Sequence, residues 1–198
     1  MFRDLNPSTL LSPVPVVLVS CAGVQNEYKK DNMLTIAWTG IVNSEPPMAS
    51  VSVRKSRFSF EQIVQSGEFC INLISEDMVK QLDWCGVKSG KNFDKFKETG
   101  LTALHPPELK YAPMVGESPL VLCCRVKESS DLGSHVMFVG EIVAVKVQEE
   151  LLDDAGKLTI EKAKLVCYNH GDYHAIGKKL GFFGFSIAAP DVLKRRMK

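Results

Sequence analysis

Two successive stretches between residues 32 and 59 constrain this chain more than any other part of its sequence. Residues 33–41 and 48–54 alternate large apolar side chains with small or polar ones, which predicts two strands joined through N-S-E-P-P. The small or polar faces carry Thr35, Ala37 and Thr39 on the first strand and Ser50, Ser52 and Arg54 on the second. Such faces make a poor apolar core, but a flat polar ring system could lie against them close to the backbone.

The second strand runs directly into a basic cluster, R-K-S-R-F-S, over residues 54–59. Within it, Ser59 is predicted to be the N-cap of a helix, with Gln62 as its capping-box partner and an end near Gly67. Three cations and two hydroxyls beside a helix start favour an anion such as phosphate. The alternative interpretation is a solvated strand end followed by an ordinary serine N-cap.

Size and composition predict one soluble domain over residues 1–198. The net charge of +1 gives no argument for nucleic acid or a membrane surface. The chain has no run of about 18 apolar residues, so no membrane-spanning helix is expected. V-P-V-V-L-V-S-C-A is more typical of a first strand than of a signal peptide. The six cysteines lie mostly in apolar runs without a C-x-x-C pair, which indicates reduced thiols in a cytoplasmic protein.

The rest of the chain predicts a mainly β fold. Strands are expected at P-V-P-V-V-L-V-S-C and E-F-C-I-N-L-I, and a long hairpin is expected across E-S-S-D-L-G-S. Ser75 or Asp77 is predicted to cap a second helix that continues to about Cys85, and residues 105–119, with four prolines, should be irregular. Six or seven strands with few helices favour an antiparallel barrel with helical insertions.

Two further features could contact a ligand. Lys88, Lys91 and Lys95 alternate with small and aromatic residues in K-S-G-K-N-F-D-K-F, a loop that could wrap an anion or could simply be solvated. His135 begins the strand S-H-V-M-F-V-G-E, where it could be structural or could donate to a ligand if that strand lines the same cavity.

Motifs for other chemistry are missing from the sequence. His170 and His174 flank G-D-Y, and Gly171 argues against the helical spacing that a metal pair would need. No G-x-G-x-x-G follows a strand, and neither a Walker loop nor a G-x-S-x-G elbow is present. A bound cofactor is therefore expected to supply any redox or transfer chemistry.

Taken together, seven segments in order resemble the flavin reductase-like proteins, specifically the flavoredoxin branch of the FMN-binding split-barrel proteins. These segments are N-M-L-T-I-A-W-T-G, P-P-x-x-x-V-S-V-R, S-G-E-F-C-I-N-L, S-G-K-N-F-D-K-F, E-S-P-L-V-L-C-C-R-V, G-S-H-V-M-F-V-G-E-I and Y-H-A-I-G-K-K-L-G-F-F-G-F-S. The resemblance covers nearly the whole chain. It implies a six-stranded antiparallel split β-barrel with short helices, a homodimer, and FMN bound near the subunit interface.

The resemblance also implies roles for individual residues. Asn32, Thr35, Ala37, Trp38 and Thr39 match the strand that lies along the flavin ring. Ser56 and Ser59 match the hydroxyls at the phosphate, with Arg54 as a possible cation there. Lys95 matches the basic residue that reaches the flavin. His135 matches the hairpin histidine near the cofactor, and Tyr168 matches an aromatic residue near the ring. Tyr173 is the alternative for this last position, and His135 is the side chain expected to act in catalysis.

Three functions remain open from the sequence. The first is an FMN-dependent oxidoreductase that moves electrons between NAD(P)H and FMN or an acceptor, with a redox protein or a monooxygenase as a partner. The second is a flavoredoxin-type electron carrier without a small-molecule substrate of its own. The third is a barrel-type binding module without flavin. NADH, NADPH and ferredoxin are all compatible with the sequence as electron donors.

Overall fold

The computed structural model describes residues 1–197, and its main body is one antiparallel sheet. Within this range the strands are β1 Val14–Pro15, β2 Val17–Ala22, β3 Asp31–Ile36, β4 Thr39–Ser44, β5 Pro47–Arg54, β6 Glu68–Leu73, β7 Ala103–Leu104, β8 Met114–Val115, β9 Leu120–Asp131, β10 His135–Val147, β11 Val166–Asn169 and β12 Asp172–Ala175. The α-helices are α1 Phe58–Ser66, α2 Val79–Val87, α3 Lys95–Thr99 and α4 Pro190–Arg196. The main sheet has the order β3-β2-β6-β9-β10-β5-β4, while β1-β11-β12 and β7-β8 form two smaller sheets.

The prediction of a mainly β fold with short helices is confirmed, but the implied count of six strands is not. The main sheet contains seven strands, and in the described part of the chain its end strands β3 and β4 do not pair with each other, so the barrel is not closed. The strand predicted over residues 33–41 is interrupted at Ala37 and Trp38, because β3 pairs with β2 whereas β4 pairs with β5. The backbone N–H of Ser52 donates to the Trp38 carbonyl at 2.9 Å, which holds this break against β5.

Buried side chains cover both faces of the sheet centre. All six residues of β2 are buried, with Val17 and Val19 in one apolar cluster and Leu18 in another. The second cluster includes Leu82 of α2, so this helix packs on the face opposite to the first cluster. Because successive strand residues point to opposite faces, a central strand covered on both sides reads as continuously apolar.

The first helix corrects the predicted capping arrangement. Arg57, not Ser59, occupies the N-cap position, with extended backbone angles and no side-chain cap. Ser59 instead lies within the first turn, buried, and accepts a hydrogen bond from Asn32 Nδ2 at 2.8 Å. The capping-box prediction was wrong because the helix begins two residues earlier, which directs Ser59 inward. The predicted end is confirmed, since Gly67 has a φ of 65° and terminates α1.

The later segments largely follow the sequence. A 3₁₀ turn over Glu76–Met78 precedes α2, which continues to Val87 rather than ending near Cys85. The predicted hairpin is confirmed as β9 and β10, and residues 105–119 are irregular apart from β8. No helix in the described part of the chain combines the length and the apolar composition needed to span a membrane.

Candidate functional site: an open cleft beside β3 and β5

An open cleft of about 440 Å³ lies where β3, β5, α2 and the β11–β12 hairpin meet. Its size is within the range typical of cofactor and ligand sites. Residues from six separate parts of the chain line it, so the fold brings together positions that are far apart in sequence. Of the predicted site residues, it includes Thr35, Ala37, Trp38, Arg54, His135 and Tyr168.

One wall of the cleft includes small side chains on β3, in the break after it and on β5. Thr35, Ala37 and Ser52 of the predicted small or polar faces line it, whereas Thr39 and Ser50 do not. The Thr35 hydroxyl donates to the Leu82 carbonyl, and a Cβ placed on Gly86 would lie 3.2 Å from Thr35 Cβ. Gly86 therefore lets α2 approach β3 closely and forms part of the lining itself. The result is a shallow wall against which a planar ring could lie.

Positive charge is concentrated at one end of this wall. Arg54 at the end of β5 and Arg57 before α1 both line the cleft and are exposed. Lys55, between them, points elsewhere and forms an ion pair with Asp131. The turn after β5, closed by a hydrogen bond from the Arg57 N–H to the Arg54 carbonyl, thus separates the predicted basic cluster into two cleft arginines and one lysine outside the cleft.

His135 lies directly beside Arg54, because the two residues are cross-strand partners on β10 and β5. Partial burial, and then the positive charge of Arg54, lower the pKa of His135. The Ser134 hydroxyl and His135 Nδ1 are 2.9 Å apart. The imidazole is therefore neutral at pH 7, with one nitrogen held near the serine.

Two tyrosines form a further wall of the cleft, and they are the two candidates that the sequence left open for the aromatic position. Tyr168 and Tyr173 both line the cleft, with ring centroids 5.9 Å apart and planes inclined at 57°. Tyr173 Oη donates to Asp83 Oδ1 at 3.0 Å. Burial, and then this hydrogen bond, raise the pKa of Tyr173 to about 12. Sequence reasoning missed Asp83, whose only local signal is its position one helical turn before Gly86.

A buried polar cluster lies outside the cleft lining and contains two more predicted residues. Asn32 Nδ2 donates to Ser59 Oγ and to Gln62 Oε1, each at 2.8 Å. Gln62 Nε2 donates to the carbonyls of Tyr28 and Lys30, which ties α1 to the start of β3. Asn32 and Ser59 are each 2% exposed, so they support the walls rather than line the cleft.

Lys95 is also placed outside the cleft lining. It is 3% exposed, and its Nζ donates to the Cys85 carbonyl at 2.7 Å, near the C-terminus of α2. Burial lowers the pKa of Lys95 to about 8. The other two predicted residues also lie outside the lining: Thr39 donates to the Ser50 carbonyl at 2.8 Å, and Ser56 is exposed.

Comparisons with known proteins identify the same class of protein that the residues resemble. Residues 10–177 match the family described as "Flavin reductase like domain". The solved structure of flavoredoxin of Desulfovibrio vulgaris (Miyazaki F) is 34% identical, with 94% of this chain and 99% of that chain covered and a TM-score of 0.85.

Two curated relatives have names that state an activity. The reductase component of the FADH(2)-dependent resorcinol hydroxylase of Rhizobium sp. (strain MTP-10005) is 22% identical over 69% of this chain and 73% of its own length. The FMN reductase (NADH) RutF of Pseudomonas syringae pv. syringae (strain B728a) is 24% identical over 54% of this chain and 57% of its own.

Proposed function

This chain belongs to the flavin reductase-like family, and we propose on that basis that it binds FMN in the cleft and transfers electrons from NADH or NADPH to it. The observation that carries the proposal is the juxtaposition of a shallow wall of small residues with two arginines at its end. A planar ring and a phosphate are the two ends of FMN, and each has a matching surface. The cleft volume of about 440 Å³ is also suited to a ligand of this size.

The chain's own residues divide the work of holding the cofactor. Arg54 and Arg57 are proposed to bind the phosphate, since guanidinium groups match phosphate geometry through paired donors. Thr35, Ala37 and Ser52 leave room for the ring, and the tyrosine wall covers it from the other side. Asn32, Ser59 and Lys95 are proposed to stabilise the cleft without touching FMN. Their hydrogen bonds hold β3, α1 and α2 in position.

Bound FMN would supply the hydride and electron chemistry, so the protein needs no acid–base pair of its own. His135 is proposed to influence the reaction without being essential. It is neutral at pH 7 and faces the cleft beside Arg54, so it offers a hydrogen bond there without adding charge. A redox protein or a monooxygenase is proposed as the partner that receives the electrons.

The proposal includes a homodimer in the cytoplasm. The open cleft would be covered by the second copy, and apolar residues on the C-terminal segment would be buried between copies. Leu180, Phe183 and Ile187 are 77%, 105% and 90% exposed in the single chain. Six free thiols are compatible with a reducing compartment. Light scattering that gives the mass of one chain at micromolar concentration, with FMN bound, would contradict the dimer.

A second function, electron transfer without turnover of a small substrate, is favoured by the similarity to a flavoredoxin over nearly the whole chain. One set of measurements separates the candidates. The visible spectrum of the purified protein, and chromatography of heat-released cofactor, should identify FMN rather than FAD. Under anaerobic conditions NADH or NADPH should then bleach the bound flavin.

Each other outcome has a defined meaning. If reduced ferredoxin bleaches the flavin and neither nicotinamide does, the carrier function replaces the reductase function. A colourless protein that also fails to bind added FMN would leave only the third interpretation, a binding module without flavin.

A further inference from the structure

Two buried cysteines face each other directly across neighbouring strands, and neither of them lines the cleft. Cys70 on β6 and Cys123 on β9 are register partners in an antiparallel pair. Three positions further along this register, Gly67 is opposite Val126. The Val126 N–H donates to the Gly67 carbonyl at 2.8 Å, so Gly67 and Val126 are a hydrogen-bonded pair. Because hydrogen-bonded and non-hydrogen-bonded pairs alternate, Cys70 and Cys123 form a non-hydrogen-bonded pair.

This position brings the two sulfur atoms within reach of a covalent bond. Opposed residues at a non-hydrogen-bonded position have Cα atoms about 4.5 Å apart, which lies within the range of about 4.4–6.8 Å found in disulfides. Both side chains belong to one buried cluster with Leu109, Ala112 and Val121. They therefore project from the same face of the sheet, and the strands need no change of register to join them.

The neighbouring thiol of Cys124 has a different environment. It packs with Phe69 in the cluster on the opposite face of the sheet, as the two-residue period of a strand requires. Adjacency in sequence therefore does not place Cys124 beside Cys70. This gives an internal control, since only one of the two consecutive cysteines faces Cys70.

The surroundings make the two thiols chemically unequal. A hydrogen bond from the Cys70 thiol lowers the pKa of Cys123, and Lys146 also acts in this direction. The same hydrogen bond, together with burial, raises the pKa of Cys70. Cys123 is therefore the thiol that more readily forms a thiolate, and Cys70 is its protonated neighbour.

We propose that Cys70 and Cys123 form a redox-active dithiol that hydrogen peroxide oxidises to an intrachain disulfide between β6 and β9. In the first step the Cys123 thiolate attacks a peroxide oxygen, the O–O bond breaks, and a sulfenic acid and hydroxide form. In the second step the Cys70 sulfur attacks the sulfenic sulfur, and water leaves as the S–S bond forms. The two thiol protons and the peroxide end as two waters, so two electrons pass from the thiols to the peroxide.

A loop over the dithiol controls access, because both cysteines are 0% exposed. The Glu68 carboxylate accepts hydrogen bonds from the backbone N–H groups of Lys110, Tyr111 and Ala112 at 2.7–3.3 Å. These bonds hold Leu109 and Ala112 in the buried cluster that contains the two cysteines. Opening of residues 109–112 is thus the step that admits a small oxidant, and Glu68 sets its frequency.

The test treats the purified full chain with hydrogen peroxide, traps remaining thiols with an alkylating agent in denaturant, and maps disulfides by mass spectrometry without reduction. The expected product is a Cys70–Cys123 link, with two fewer alkylated thiols than the six of the reduced chain. Dithiothreitol should restore all of them. Glu68→Gln should speed formation of the link several-fold, because a neutral amide holds the loop less firmly.

Variants assign the link to this pair. Cys124→Ser should still form it, whereas Cys70→Ser should lose it and leave Cys123 oxidised as a sulfenic acid that a dimedone probe labels. Peroxide that leaves all thiols alkylatable, or a link through Cys124 in the wild-type chain, would overturn the proposal. A Cys70–Cys123 link that forms equally fast in denaturant would also overturn it, because the fold would then contribute nothing.

Discussion

Tyr173 on β12 donates its hydroxyl proton to the Asp83 carboxylate of α2 at 3.0 Å, and this contact joins the small β1-β11-β12 sheet to the helix beside the cleft. On its other side the same helix is held to β3, because the Thr35 hydroxyl donates to the Leu82 carbonyl. The small-residue wall and the tyrosine wall are thus positioned by one turn of α2. A change in this turn should therefore alter both walls together.

Removing the Tyr173–Asp83 hydrogen bond should weaken FMN binding by loosening the tyrosine wall. Tyr173→Phe and Asp83→Asn are each expected to reduce affinity about fivefold, as for the loss of roughly 1 kcal/mol. The double variant should cost no more than either single one, since both remove the same contact. Fluorescence titration with FMN measures this, with Tyr111→Phe, outside the cleft, as control. Additive losses would contradict the shared contact.

The contact between Tyr173 and Asp83 also predicts that Tyr173 loses its proton only at an unusually high pH. Burial and Asp83 raise the pKa of Tyr173 to about 12, so the folded state favours the neutral phenol. Its contribution to stability is therefore complete below about pH 10 and is lost as the pH rises toward 12. Ultraviolet titration of the four tyrosines should show one delayed group. Asp83→Asn should lower its pKa only partly, because burial is the larger cause.

The arginines at the cleft end should discriminate FMN from riboflavin, which lacks the phosphate. Arg54→Ala and Arg57→Ala are each expected to lower the affinity for FMN about tenfold. This loss is near the lower end of the range for hydrogen bonds to charged groups, because both side chains are exposed to solvent. Lys55→Ala is the matched control, since Lys55 pairs with Asp131 outside the cleft. Riboflavin affinity should stay unchanged in all three. Equal losses for riboflavin and FMN would show that the phosphate is bound elsewhere.

Local patterns predicted much of this arrangement. Alternation placed Ser52 and Arg54 on the cleft face of β5, and the apolar runs predicted the long hairpin. Capping was predicted wrongly at Ser59, because serine before a helical stretch is compatible with both a cap and an inward position. Only the tertiary contact with Asn32 decides between them.

The features that the sequence did not predict have a common physical origin. The break between β3 and β4 arises because the two halves pair with different strands, which no local pattern records. Asp83 joins the cleft through a partner 90 residues away. Lys95 was predicted to lie in a basic loop that binds an anion or is solvated, but packing of α3 against β3 buries it and its Nζ donates to the Cys85 carbonyl of α2. Sequence patterns thus indicated the faces of single strands, and tertiary contacts determined the final site.

Ser59 is expected to stabilise the fold through its buried hydrogen bond with Asn32. Ser59→Ala is expected to cost about 1–2 kcal/mol of unfolding free energy, because it leaves one Asn32 amide proton without its partner. Urea unfolding of Ser59→Ala, Asn32→Ala and the double variant should give a coupling energy of at least about 0.5 kcal/mol. Ser56→Ala, at an exposed position, should change stability by less than about 0.5 kcal/mol. Independent effects at Ser59 and Asn32 would favour the cap interpretation again.

Lys95 should make stability rise with pH in the alkaline range. Its pKa falls from 10.5 to about 8 on folding, mainly because of burial, so the unfolded chain binds more protons between these values. Unfolding free energy should therefore increase from pH 8 upward, by on the order of 2 kcal/mol between pH 7 and 10. Lys95→Met should remove this slope, and Lys97→Met, an exposed lysine of the same helix, should retain it. A slope that persists in Lys95→Met would assign it to another group.

His135 should affect flavin reduction only on the acid side of neutrality. Burial and Arg54 lower its pKa, so the imidazole stays neutral at pH 7 and gains its charge below the usual range near 6.5. The rate of anaerobic bleaching by NADH or NADPH should therefore be level from about pH 7 to 8 and change only at a pH below the usual imidazole range near 6.5. His135→Asn should keep part of the rate and lose the acid inflection, whereas Arg54→Ala should move that inflection toward neutrality. Stopped-flow measurements at saturating FMN test both variants, with His174→Asn as an exposed control. An inflection that survives in His135→Asn would show that another group titrates.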